Sequence, residues 1–246
     1  MNKKSARIFG IILLLLGIFL FVFIGGISIW GDIEALFFDA ALAQAKNLDH
    51  LRCPAVITPN EISKVTARIT NIDQKPVTIE VRAHVTDGFV TLMNEYITDV
   101  PLEPGESKTV DVPIAPENAA YGRLVLVRVH QMKELTNPYQ NAACGVVLVN
   151  VPFLTGTQFV IVVMSLGVLL TAGGLSLWAF NSRPIILQRR RTFVSLLIFT
   201  AIAIALAVIA LIGTWLLGII LAVVWVLMGA SLIVQFFPSS KNELPE

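Results

Sequence analysis

Residues 8–30 hold 23 consecutive positions without a charge. As a helix rising 1.5 Å per residue, such a run is about 34 Å long and crosses the hydrocarbon core of a bilayer. A second charge-free run covers 156–180 and a third covers 193–237. The third would be about 67 Å long as one helix, twice the hydrocarbon thickness, so it must fold back on itself. Its break falls at Leu211-Ile212-Gly213-Thr214-Trp215, where Gly weakens a helix and Trp favours the headgroup level. The pattern therefore predicts four transmembrane helices, at 8–30, 156–180, 193–212 and 215–237. Residues 31–52 read as a juxtamembrane stalk. Ile33, Leu36, Phe37, Ala40, Ala41 and Gln44 recur there at helical spacing, which suits a helix lying on the membrane surface or a continuation of the first span equally well.

Between 53 and 151 the period changes to two. Val65, Ala67 and Ile69 alternate with Lys64, Thr66, Arg68 and Thr70. After a turn over 71–76, Val77, Ile79, Val81, Ala83 and Val85 alternate with Thr78, Glu80, Arg82, His84 and Thr86. Each segment reads as a strand with one buried face. Asp87-Gly88 and Pro104-Gly105 are turn signals, and further strands are expected at 89–92, 107–114, 121–131 and 145–151. Seven or so short strands with a turn about every ten residues indicate an antiparallel β-sandwich. The expected fold class is an α plus β membrane protein, with the sandwich inserted between transmembrane helices 1 and 2.

Composition agrees with that division. Of 246 residues 55% are apolar and 14% charged, whereas roughly a quarter are charged in a soluble domain. The charges are segregated: Lys3, Lys4 and Arg7 precede the first span, and Arg183, Arg189, Arg190 and Arg191 form a basic loop within 181–192. Short basic loops stay cytoplasmic, so 1–7, 181–192 and the tail 238–246 are expected inside the plasma membrane and 31–155 outside. A cleaved signal peptide is the rival reading of the first run, with Ala43-Gln44-Ala45 as the processing site. That site lies about fifteen residues past a run already long for such a peptide, so an uncleaved anchor is expected. From Asp32 to Glu134 the chain has 15 acidic and 10 basic residues, which makes nucleic acid an unsuitable partner.

Three motifs carry a family resemblance: Thr66-Ala67-Arg68-Ile69-Thr70-Asn71; Leu102-Glu103-Pro104-Gly105-Glu106-Ser107-Lys108-Thr109-Val110; and Tyr121-Gly122 leading into Leu124-Val125-Leu126-Val127. With them, residues 53–151 resemble the bacterial immunoglobulin-like surface domains related to the cell-adhesion-related bacterial domain. The resemblance implies a sandwich that acts as a spacer, adhesion or assembly module. Tyr121 resembles a tyrosine corner or serves as a core aromatic, and no Trp lies between Trp30 and Trp178, unlike antibody domains. In such a sandwich the first and last strands lie close, so Cys53 and Cys144 are expected to pair across the ends of the domain. A loop of this length gives about 4 to 5 kcal/mol in the chain-entropy model, and measured values are often nearer 2 to 4. An extracytoplasmic compartment permits the bond.

No phosphate loop, zinc-ligand spacing or nucleophile elbow occurs, so neither an enzyme nor a cofactor is expected. The three histidines, His50, His84 and His130, lie outside the spans, which contain no ionisable residue for moving protons or ions. Val81-Arg82-Ala83-His84 recurs as Val127-Arg128-Val129-His130, placing Arg82, His84, Arg128 and His130 on the outward face of two strands. That face reads as a solvated polar surface or as a patch for an anion or partner. Ala201, Ala203, Ala205 and Ala207, Gly218 and Ala222, and Ala172-Gly173-Gly174 let helices approach closely, within the bundle, in a homo-oligomer or with another membrane subunit. The expected function is that of a non-catalytic surface protein in the lipid bilayer whose ectodomain mediates protein binding, adhesion or assembly. The absence of an Asn-x-Ser/Thr sequon fits a prokaryotic source. The alternative is an accessory or mechanotransmitting transporter subunit, since one span, an exterior domain and three spans resemble the FtsX and MacB permease layout.

Overall fold

The charge-free runs form four helices, α1 (Lys3–Phe37), α2 (Gly156–Asn181), α3 (Leu187–Leu211) and α4 (Trp215–Phe236), each long and apolar enough to cross a membrane. The computed structural model describes residues 3–39, 46–48, 50–132, 134, 137–181 and 187–236. Gly213, with φ +83°, separates α3 from α4. Arg189, Arg190 and Arg191 lie in the first turns of α3 rather than in a loop. Arginine is a good helix former, so a charge boundary marks the edge of an apolar run and not the end of the helix. Arg183 and the tail 238–246 lie outside the described residues, as do residues 40–45. Within 31–37 the first helix continues without a break.

The chain divides into two compact units. One comprises Met1–Gly25, Val163–Ile209 and Leu216–Glu246. Here α1 and α2 approach through glycines at seven-residue spacing on both. A Cβ at Gly17 would lie 2.6 Å from Thr171 Cγ2 and 2.8 Å from the Gly167 carbonyl oxygen, and one at Gly10 would lie 2.9 Å from the Gly174 oxygen. Leu14, Ile18 and Phe21 of α1 share a buried cluster with Phe199, Ala203, Ala207 and Leu232. Arg7 Nε donates to the Asn181 carbonyl at 2.7 Å, at the C-terminal end of α2.

The other unit comprises Gly26–Val162 and Ala210–Trp215. Its strands are β1 (Lys46–Asn47), β2 (Leu51–Arg52), β3 (Val56–Ile57), β4 (Ser63–Thr70), β5 (Val77–Asp87), β6 (Phe89–Leu102), β7 (Ser107–Ile114), β8 (Leu124–Gln131) and β9 (Gln140–Leu148). They form a six-stranded sheet in the order β1-β9-β8-β5-β6, with β3 also beside β9, and a three-stranded sheet β2-β4-β7. All pairs are antiparallel except β1 and β3 against β9. The alternating apolar positions of both sheets meet in one core: Val65, Ala67 and Ile69 of β4 and Val112 and Ile114 of β7 lie with Ile79, Val81, Val85, Val125 and Val127 of the larger sheet. Two sheets with a shared core make a β-sandwich.

The disulfide Cys53–Cys144 is formed, with a Cα separation of 6.5 Å. Cys53 follows β2 and precedes β3, where the chain passes from the smaller sheet to the larger, while Cys144 is inside β9 rather than at its start. Three other expectations shift. The strand expected at 89–92 runs on to Leu102, an edge strand that accommodates Pro101, as proline requires. The final strands occupy 124–131 and 140–148 instead of 121–131 and 145–151. Tyr121 is 66% exposed, not a core aromatic; with φ +53° it sits in a turn and packs edge-on against Phe89.

Candidate functional site

The recurrent Arg-x-His motifs do meet. In the β5–β8 register Arg82 lies opposite His130 and His84 opposite Arg128, all on the sheet face turned away from the sandwich core. Of the four, only Arg82 is well solvated, and His84 is largely covered. Arg128 is 3% exposed and His130 is 1% exposed, because the end of α1 lies over them. Ala35 and Phe38 pack with Leu124, Leu126 and Val147 as a second apolar cluster on this face. The sequence carries a signal for it: Leu124-Val125-Leu126-Val127 is apolar without alternation, the pattern of a strand covered on both sides.

Arg128 closes the C-terminal end of α1. Its Nε donates to the Phe38 carbonyl at 2.7 Å, and its Nη2 donates to those of Ala35 and Leu36 at 3.1 and 2.9 Å. These carbonyls lie at the end of the helix, where intrahelical donors run out and, among the described residues, only that of Ala35 also accepts a backbone bond, from the Phe38 N–H at 3.3 Å, and the helix dipole there favours a cation. Burial lowers the Arg128 pKa from its ordinary value, and the charge of Asp39 opposes that shift.

Asp39 follows the helix in a left-handed conformation, φ +49°, which Asp tolerates better than most residues. One carboxylate oxygen, Oδ2, is 2.6 Å from His84 Nδ1 and 3.2 Å from His130 Nε2. Each ring has a second partner. His84 Nε2 is 3.4 Å from Glu95 Oε1, and His130 Nδ1 is 2.7 Å from the Tyr139 hydroxyl. The two imidazoles meet edge to face with centroids 5.1 Å apart. Burial pushes the His130 pKa below 6.5, with the Asp39 hydrogen bond pulling the other way, and burial pushes the Tyr139 phenol up. Arg82, half exposed, turns aside to Glu80, to whose carboxylate its Nε donates at 2.5 Å.

Asp39, Glu95 and Tyr139 complete the cluster, and no local motif marks them: Asp39 is 45 positions from His84. A cavity of about 740 Å³ occupies the same unit, with Ser28, Asp32, Leu51, Arg52, Ala210 and Trp215 in its wall. There the Asp32 carboxylate accepts from the Gly145 N–H at 3.3 Å.

Among solved structures, the chain is similar to the CARDB domain of a Pyrococcus furiosus protein solved in complex with di-metal ions. Identity is 17%, over 41% of this chain and 90% of that one, with a TM-score of 0.33. It is also similar to a β-glucosidase of Erythrobacter marinus, at 20% identity over 39% of this chain and 14% of that one, with a TM-score of 0.27. A β-glucosidase of Listeria innocua is 17% identical over 41% of this chain and 15% of that one, also at 0.27. The similarity thus spans about a seventh of each glucosidase. No protein-family model and no curated protein matches the chain. Its own strand order is immunoglobulin-like: the first strand region is split between the sheets, with β2 on the smaller and β3 parallel to the last strand on the larger. The chain thus combines four helices apolar enough to cross a membrane with a disulfide-closed, immunoglobulin-like β-rich domain.

Proposed function

We propose that this chain is a non-catalytic, multi-pass protein of a prokaryotic plasma membrane whose sandwich stands outside the cell and binds a protein partner, in adhesion or in assembly of a membrane complex. Strand β6 carries the reading. It is 14 residues long, lies at the edge of the larger sheet and, among the described residues, pairs with β5 alone. Phe89, Leu92 and Ile97 on it are 54%, 54% and 55% exposed, and Tyr121 stands against Phe89. A long, apolar, uncovered edge is a template for another strand, and apolar surface left to water marks interaction sites. The orientation rests on the basic segments around residues 3–7 and 183–191, which the positive-inside bias keeps cytoplasmic.

The test is affinity purification of the intact protein from native membranes after crosslinking, beside a Leu92→Lys/Ile97→Glu variant of unchanged thermal stability. A partner recovered with the parent and lost from the variant supports the reading. Recovery of the parent alone, or of the same partner with both, counts against it. Reporter fusions at Gly105 and at the C-terminus test the topology, the expected result being an outside signal only from the first.

A mechanotransmitting transporter subunit is the second reading, favoured by the ties between the sandwich and the helices. The Asp32 carboxylate of α1 accepts from the Gly145 N–H of β9 at 3.3 Å, and Glu61 Oε2, just before β4, accepts from the Gly156 N–H at the start of α2 at 2.6 Å. It predicts a cytoplasmic ATPase that crosslinks to residues 181–192, and failure to crosslink removes its support.

A further inference from the structure

We propose that Asp39, His84 and His130 form a binding site for a divalent zinc-type ion, which joins the end of α1 to strands β5 and β8. This goes beyond the binding function proposed above and stands on separate residues.

The donor atoms of the three residues lie within 4.8 Å of one another. His84 Nδ1 and His130 Nε2 both aim at the same carboxylate oxygen, at 2.6 and 3.2 Å, so the two ring nitrogens converge on one point, where loss of their protons would leave lone pairs for a metal. With metal–ligand distances of about 2.0–2.2 Å, tetrahedral ligands stand roughly 3.3 Å apart. The two Asp39 contacts therefore reach coordination spacing by opening by less than about an ångström, and the two ring nitrogens lie no more than 4.8 Å apart.

The far side of each ring strengthens the assignment. An imidazole that binds a metal through one nitrogen normally hydrogen-bonds through the other, which fixes ring orientation and tautomer. Here Glu95 faces His84 Nε2, and the Tyr139 hydroxyl faces His130 Nδ1. Two imidazoles and one carboxylate suit zinc, with a fourth position left for water. The partial exposure of Asp39 and His84, with side chains 16% and 15% exposed, opens a path to it. Arg128, the nearest cation of β8, is turned to the carbonyls of α1 instead.

The experiment uses the full chain in detergent, purified through a tag without histidine, stripped with chelator and titrated with Co²⁺ and then Zn²⁺. The expected result is one Co²⁺ per chain, with the visible absorption of a four-coordinate ion, displaced by Zn²⁺. Asp39→Asn and His84→Gln should abolish it, and Tyr139→Phe should weaken it by about tenfold. His50→Gln, at an exposed histidine outside the cluster, should leave it unchanged. No stoichiometric uptake by the parent overturns the proposal, as does uptake that survives Asp39→Asn and His84→Gln. Should those variants not fold, X-ray absorption at the zinc edge of the loaded parent decides: two imidazoles support the site, and none or one overturns it.

Discussion

At Gly145 the backbone of β9 lies against that of α1 at Gly31. A Cβ added at Gly31 would fall 2.9 Å from the Gly145 oxygen, and one added at Gly145 would overlap the Gly31 carbonyl. Overpacking of this kind meets backbone, which cannot rotate away, so Gly145→Ala should cost about 3 kcal/mol, read as a lowered thermal midpoint in detergent. His130 sets a pH dependence. Its folded pKa lies below the ordinary 6.5, so as pH falls the unfolded chain takes up the proton first. The stability due to the neutral ring is complete above about 6.5 and is lost as pH falls through the lower folded value. In chelator-treated protein the thermal midpoint should therefore drop on acidification from about pH 7 to about pH 5, and the drop should be smaller in His130→Gln. Equal drops in both would remove His130 from the account. The Arg-x-His recurrence placed this residue on the correct strand face, but among its neighbours are Asp39, 91 positions earlier, and Tyr139, which strand periodicity does not register.

Between elements, Arg128 is the principal polar tie from β8 to α1. Arg128→Met keeps the apolar stem and removes three charge-assisted donors from carbonyls at the end of the helix. A loss of about 2–3 kcal/mol is expected, with faster amide hydrogen exchange over residues 33–38 than over β4. Exchange that accelerates equally in both would mean global destabilisation and no specific tie. The helices themselves follow directly from charge-free length, and the break at Gly213 from a glycine two positions before Trp215. Strand β6 was legible only in its first four positions. Its later residues include Glu95, Asp99 and Pro101, which dilute the alternation that a strand with one buried face would show, because little of an edge strand is buried.

For the whole molecule, the disulfide joins β9 to the crossing point between the two sheets, 91 positions away in the chain. Replacing both cysteines by Ala should lower the stability of the sandwich by about 2–4 kcal/mol, measured by denaturant unfolding of the detergent-purified chain, and leave the helical signal intact. Loss of the helices at the same midpoint would show that the sandwich and the helices unfold as one cooperative unit. The sequence by itself determined four helices long and apolar enough to span a membrane, a β-rich domain of two sheets, and the pairing of the cysteines that its family resemblance implied. These depend on local quantities, runs without charge and positions that alternate, or on a motif that a family shares. Only the tertiary structure decided that the end of α1 lies over the outer face of β8, that Asp39 reaches two histidines from separate strands, and that Gly10 and Gly17 face Gly174 and Gly167. Such contacts arise where two surfaces already formed by local rules fit together, and the shape and charge of both must be present before either residue has a partner.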